Sequence, residues 1–452
     1  VTPIIVSNTY YEDDIERVFS GAFAWHELGR YLATITSVFQ SNNIEHAVDI
    51  GVLTWFLSGV LIIFGAYVLY CHFNHIIYKK ESIVISIFTV ANPFLLQNLL
   101  YKFDSIGMSL SLFFSILSFS IPIKHRFSFV IQSLLLFLVL NLYQPFINFY
   151  IGLIGLQVFL KYLKKSGIDS VEILKSLIPY AIAIILYQLQ SIILPAGGSR
   201  ATIINLDHKI FITIIENINL SYIPFIEFFY PFWFFSIPAI ISFISILIFA
   251  LFKNSENGVF GILGLVLIYV SSIGAMSLLE SQFNEPRGLP YFPIIASLII
   301  LTYSSIRENF IYLSIVPLIF ILSFSSKVAI SHRIQADFER PIFYDISTKI
   351  YKFKELEVYS IGSVPLSPFV YKITENTPFN AYLNRDAWRT SGRLREYVQN
   401  INFEWSVATG KTTEYFTNNY HEFTMYEEEN PYYRIYLSDS SLYIHWVESD
   451  KE

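Results

Sequence analysis

The sequence predicts a polytopic α-helical membrane protein carrying a small soluble α/β domain at its C-terminal end. Three observations predict it. Of 452 residues only 15% are charged, against roughly 25% in a typical soluble domain, while 54% are hydrophobic and 17% aromatic. Apolar runs of about the 20 residues needed to cross some 30 Å of hydrocarbon recur through residues 1–326. From Lys327 the chain reads as water-exposed, and residues 327–452 are enough to fold as a unit.

The apolar runs place about ten spans at 50–70, 83–100, 105–121, 127–142, 146–160, 176–194, 231–252, 259–279, 290–303 and 310–325. The two at 127–160 stay separate because Tyr143-Gln144-Pro145 breaks the run. Keeping them separate also preserves the charge pattern. Lys79, Lys80, Lys124, Arg126, Lys161, Lys164, Lys165, Lys253 and Arg307 then share one face, which is cytoplasmic by the positive-inside rule. The opposite, extracytoplasmic face takes the first 49 residues, the turn at Asp104, the loop 195–230, the loop with Glu285 and Arg287, and the soluble tail. Between 21 and 41, Phe23, Leu28, Leu32, Ile35, Val38 and Phe39 recur at helical spacing, predicting an amphipathic segment along the membrane surface. In the tail, 357–361 alternates like a strand, and 432–437 and 442–446 flank a hairpin turn.

Several function classes fall away. A net charge of −6 offers no basic footprint, so nucleic acid is not a partner. One cysteine, Cys71, excludes a disulfide framework and any cysteine zinc site.

Three charged outliers remain to be explained. The first is Tyr10-Tyr11-Glu12-Asp13-Asp14-Ile15-Glu16-Arg17. Its carboxylates can cap a helix starting at Ile15, serve as a general base for an incoming hydroxyl, or offer oxygens to a divalent cation. The second, Tyr101-Lys102-Phe103-Asp104-Ser105, is a tight turn between spans. It is either a snorkelling lysine with a capping aspartate or a second carboxylate of the first outlier's site. The third runs from Glu280 to Gly288, and its Pro286-Arg287 suits either an interfacial anchor or a lipid phosphate held bidentately. His72 and His75 read as interface histidines, and Arg385, Arg389 and Arg393, four apart, as a solvated helical face.

Taken in order, Tyr10-Tyr11 with Asp13-Asp14 and Arg17, Trp25 with Gly29-Arg30-Tyr31-Leu32, the turn 101–105 and Pro286-Arg287 resemble the GtrII-type serotype-converting glucosyltransferases, a family of GT-C membrane glycosyltransferases. His26-Glu27-Leu28 departs from the family pattern. The resemblance implies a GT-C fold in the bacterial inner membrane, one further span before Val1, and a site facing the periplasm. It implies transfer of a hexose, typically glucose, from a polyprenyl-phosphate donor such as undecaprenyl phosphate glucose to lipid-linked O-antigen of lipopolysaccharide. Carried onto this chain, Asp13, Asp14 and Asp104 are catalytic, and Arg287, Lys102 and Arg17 bind the donor phosphate. Tyr11, Glu12, Arg30 and Glu280 bind substrate; no cofactor is expected, with a divalent metal the disfavoured alternative. The rival reading is a transporter or flippase of lipid-linked sugars, which would carry ionisable groups near mid-membrane.

Overall fold

The computed structural model describes residues 2–123, 126–194, 210–230, 240, 243, 244, 247, 248, 258–274, 277, 285–288, 291–375, 377, 382, 383, 387–398, 401, 411–427 and 429–447. The chain divides into two compact units, one of Gly21–Ser326 and one of Thr2–Ser20 with Lys327–Glu452. The sequence reading had put all of 1–326 in one domain. Residues 2–20 instead pack with the tail, through contacts that only distant residues can supply.

The first unit is helical. Among the described residues five helices are long and apolar enough to cross a membrane: Leu53–Asn74, Lys79–Leu100, Gln144–Leu163, Ser170–Ile193 and Glu308–Phe353. The last of these runs on past Ser326 into the second unit. Shorter apolar helices lie at Ser105–Ser120, Phe127–Leu142, Ile210–Leu220, Gly258–Ser272 and Phe292–Ile306. The architecture is compatible with a multi-pass membrane protein. The span expected at 231–252 falls almost entirely outside the described residues; in the loop 195–230 the run 210–218, which reads as helix-like, lies within helix Ile210–Phe229, longer than that run.

Helix Leu53–Asn74 shows why these runs hold together. Its buried face carries Thr54, Ser58, Gly59, Gly65 and Ala66, small residues that let neighbouring backbones approach. Ser58 Oγ donates to the Thr54 carbonyl at 2.8 Å and meets Ser105 Oγ at 3.1 Å, so hydroxyls carried inside are satisfied within the helix or by its neighbour. Phe56, Ile63, Phe64 and Tyr67 point outward, each about 60% exposed, a pattern that suits an apolar solvent. The same logic closes helix Ile147–Leu163 onto Gly258–Ile273. A Cβ on Gly264 would stand 2.9 Å from the Gly155 carbonyl oxygen, which requires glycine at this crossing. At Tyr143 the backbone is extended (φ −157°), separating Arg126–Leu142 from Ile147–Leu163 as the Tyr-Gln-Pro break predicts.

The amphipathic segment is not one helix. Ala24 (φ 44°) and Gly29 (φ 73°) take left-handed backbone on either side of a 3₁₀ turn, Trp25–Leu28, and the α-helix begins only at Tyr31. The periodicity over 21–41 was correct in its apolar content and wrong in its continuity.

The second unit is built on a four-stranded sheet of β1 (Glu357–Ile361), β2 (Thr424–Glu427), β3 (Tyr433–Leu437) and β4 (Ser441–Trp446) in the order β1-β4-β3-β2. β1 runs parallel to β4, and the other neighbours are antiparallel. Val358, Tyr433, Ile435, Leu442, Ile444 and Trp446 pack with Ile342, Phe343 and Ile346 of the long helix into its core. This is the small C-terminal sheet domain that the strand-like alternation predicts.

Candidate functional site

Within the Gly21–Ser326 unit, five separate stretches are tied into one polar cluster. The turn after Leu100 ends helix Pro93–Leu100 and precedes helix Ser105–Ser120, with Asp104 as the residue before the first helical turn. Asp104 Oδ1 accepts a hydrogen bond from Trp25 Nε1. Lys102 is buried and donates to Asp49 Oδ2 at 2.6 Å, so it does not snorkel. Its ammonium also lies over the Trp55 ring at 5.2 Å.

Arg287 sits on a single 3₁₀ turn, Pro286–Gly288. Its Nε lies 3.1 Å from Glu285 Oε2, and its guanidinium stacks 4.2 Å from the centre of the Tyr101 ring. Gln97, fully buried on helix Pro93–Leu100, accepts from the Arg287 backbone N–H at 2.7 Å and donates to Glu285 at 3.1 Å. Tyr143 donates its hydroxyl to the Arg287 carbonyl at 3.1 Å. Arg30 lies over the other aromatic face, 4.9 Å from the Tyr143 ring, and its Nε donates to Gln144 Oε1 at 2.7 Å.

The electrostatics follow from this packing. Burial pulls the Arg30 guanidinium down, Tyr143 and Asp104 draw it back up, and Arg287 opposes them. Burial pushes the Tyr143 phenol up to about 12, against the pull of Arg287 and Arg30. The result is a water-poor set of three cations, Arg30, Lys102 and Arg287, with Asp49, Asp104 and Glu285 and an aromatic backing. Such a set can hold a phosphate through charge-assisted hydrogen bonds and position a hydroxyl against a carboxylate.

The acidic stretch belongs to the other unit and is built differently. Glu12 takes left-handed backbone (φ 48°), a conformation a non-glycine residue adopts at a cost of about 1 kcal/mol or more. Helix Asp13–Ser20 follows, with Asp13, Asp14 and Glu16 in its first turn, where the helix dipole favours them. Asp14 is completely buried, and Asp13 faces Arg17 at 3.9 Å. Glu12 pairs with Arg389 at 3.1 Å and Glu16 with Arg395 at 3.2 Å. Burial raises the Glu16 carboxyl, and Arg395 lowers it. Tyr11 packs edge-on against His332, ring centres 5.6 Å apart.

The structure therefore links Asp104, Lys102, Arg30 and Arg287 through shared neighbours in one unit, and groups Tyr11, Glu12, Asp13, Asp14 and Arg17 in the other. Glu280 and Arg385 lie outside the described residues. Among the described residues no three His, Cys, Asp or Glu side chains come together as a metal site. Arg389 and Arg393 are not a solvated face: they pair with Glu12 and, at 3.0 Å, with the buried Glu339. Sequence reasoning also missed Asp49, Gln97 and Gln144. Gln97 carried a signal, being an amide inside an apolar run, where a polar side chain needs a partner.

Comparison with known proteins supplies the context for this cluster. No solved structure matches the chain. An uncharacterized 55.3 kDa protein from the gtrB 5′ region of Salmonella phage P22 is 25% identical over 176 residues. That match covers 37% of this chain and 35% of the phage protein. Residues 2–301, which carry both the acidic stretch and the Asp104–Arg287 cluster, match the family Glucosyl transferase GtrII, and the chain belongs to that family.

Proposed function

We propose that this chain is a GT-C glycosyltransferase of the bacterial inner membrane that transfers glucose from a polyprenyl-phosphate carrier to a lipid-linked O-antigen on the periplasmic side, and so converts serotype. The observation that carries the reading is the cluster joining Arg30, Lys102 and Arg287 to Asp104 at the ends of apolar helices, in a chain of the GtrII family. In the reaction the bond from the sugar anomeric carbon to the phosphate oxygen breaks, and a bond from the acceptor oxygen forms. The carrier phosphate leaves as an anion, so the demand is for cations around it and a base for the acceptor hydroxyl, with little need of a general acid. Arg287 and Lys102, with Arg17, take the phosphate. Asp13 or Asp14 takes the acceptor proton, and Asp104 positions the sugar as charge develops on it. Tyr11, Glu12, Arg30 and Glu280 complete the contacts to substrate. No metal is needed for a leaving group already stabilised as a phosphate anion.

The test uses purified protein in nanodiscs with polyprenyl-phosphate glucose and acceptor glycolipid, followed by mass spectrometry of the product. Transfer should require the lipid-linked donor and not UDP-glucose, and should fall at least about 100-fold in Asp104→Asn and in the Asp13→Asn/Asp14→Asn double variant. Undiminished turnover in both, or equal use of UDP-glucose, would remove this reading.

A further inference from the structure

The second unit contains a cavity of about 530 Å³ that the transfer chemistry above leaves unused. It lies between the segment 6–10, immediately before the acidic stretch, and the long helix from His332 to Phe343, with Arg393, Glu396 and Tyr397 closing it. Its size is within the roughly 300–1,000 Å³ of pockets that bury a ligand of two or three rings.

The chemistry of its walls narrows the ligand. Three guanidinium groups, Arg333, Arg340 and Arg393, face three carboxylates, Asp337, Glu339 and Glu396, so hydrogen-bond donors and acceptors alternate along the lining. The remaining ionisable ring, His332, is buried with Nε2 2.6 Å from the Tyr382 carbonyl oxygen. The polar groups are held in place in advance. Glu339 lies 3.0 Å from Arg393 Nε and accepts from Gln335 Nε2 at 2.7 Å, while Gln335 Oε1 accepts from the Ser367 backbone N–H at 2.9 Å. At the mouth, Asp337 lies 3.9 Å from Arg333 and 3.4 Å from Arg340, with all three side chains more than half exposed. Tyr10 and Tyr397 add aromatic surface. Planar, paired donors and acceptors beside aromatic rings suit a neutral ligand dense in hydroxyls with apolar C–H faces.

We infer that this cavity binds an uncharged oligosaccharide, two or three pyranose rings of the acceptor chain; the word acceptor rests on the transferase reading above. The cavity then holds the growing glycan beside the stretch that carries Asp13 and Asp14, within the same unit. Specificity for the acceptor would reside here, apart from the cations assigned to the donor phosphate.

The experiment uses the full-length protein in detergent micelles and, as probe, one uncharged repeat unit released from the O-polysaccharide of the strain that carries the chain. Binding is read by saturation-transfer NMR, with UDP-glucose and inorganic phosphate as comparators. The double variant Arg333→Gln/Arg340→Gln and the single variant Asp337→Asn alter exposed groups, and unchanged thermal melting checks their folding. The oligosaccharide should bind the native protein, and each variant should weaken it about tenfold and raise the acceptor KM equally, with the donor KM unmoved. Unchanged saccharide binding and acceptor KM in variants of an active enzyme would overturn the cavity assignment and leave the transferase reading intact. A native protein that binds the saccharide through these residues yet transfers no sugar from the lipid-linked donor would overturn the transferase reading and retain the saccharide site.

Discussion

Helix Leu53–Asn74 and strand β3 differ in the apolar surface they leave outside. The helix buries Trp55, Ile62, Leu69 and Phe73 beside the small Ser58, Gly59, Gly65 and Ala66 and leaves Phe56, Ile63 and Phe64 outward, whereas the strand turns Tyr433 and Ile435 into a closed apolar core. The outward apolar face is compatible with a lipid surround for the first unit. A lipid surround leaves little to gain from hiding an apolar ring, so close backbone packing and hydroxyl bonds would weigh more there. Water rewards burial at about 25 cal/mol per Å², so large side chains organise the second. Charge follows the same division. In the first unit ion pairs lie at helix ends, Lys102 with Asp49, Arg287 with Glu285 and Lys164 with Glu81; in the second they tie the acidic stretch and the long helix to the arginines of the tail, Glu12 with Arg389, Glu16 with Arg395 and Glu339 with Arg393.

The largest effect expected from this contrast is on activity. Asp104→Asn keeps the shape of the turn and should lower transfer about 100- to 10,000-fold, with thermal unfolding shifted little. A variant that lost activity and melted early in proportion would make the cluster structural. Next comes the buried pair of the second unit. Glu339→Ala strands Arg393 without its carboxylate and should destabilise that unit by about 3–5 kcal/mol, seen as an early calorimetric transition. If melting is unchanged, the pair does not organise the unit.

Two further substitutions separate the solvents directly. Ile435→Ala should cost about 2–5 kcal/mol, as for any large-to-small change in an aqueous core, while Phe64→Ala on the outward face should cost under about 1 kcal/mol in micelles. Equal costs would mean that the outward face of Leu53–Asn74 is not lipid-facing. Between these two stands Gly264→Ala, which places a methyl 2.9 Å from the Gly155 carbonyl oxygen and should cost about 1–3 kcal/mol by forcing two helices apart. Chemical denaturation in a fixed detergent measures it.

Much of this was legible beforehand, for local reasons. The apolar runs became helices because a long run without breakers admits little else. β1, β3 and β4 formed where alternation and a Ser-Asp-Ser-Ser turn required them, and the Tyr143 break appeared at its proline. The candidate site was legible in part: Asp104 and Arg287 stand out because charge at the edge of an apolar run needs a reason, and Arg30 enters through the family resemblance. Their neighbours did not stand out. Asp49, Gln97 and Gln144 are ordinary residues until the chain brings Lys102, Arg287 and Arg30 to them. The arginines at 389 and 393 were misread because helical spacing shows which side chains share a face and says nothing about what packs on it.

The sequence by itself determined the membrane-like helical class, the tail's sheet and the short charged motifs, since each rests on periodicity or composition within some twenty residues. Only the tertiary structure decided that residues 2–20 join the tail, that Lys102 answers Asp49 and Glu12 answers Arg389, and that a neutral-lined cavity opens before the acidic stretch. Those pairings join residues dozens to hundreds of positions apart, and their energies depend on burial that no local pattern encodes.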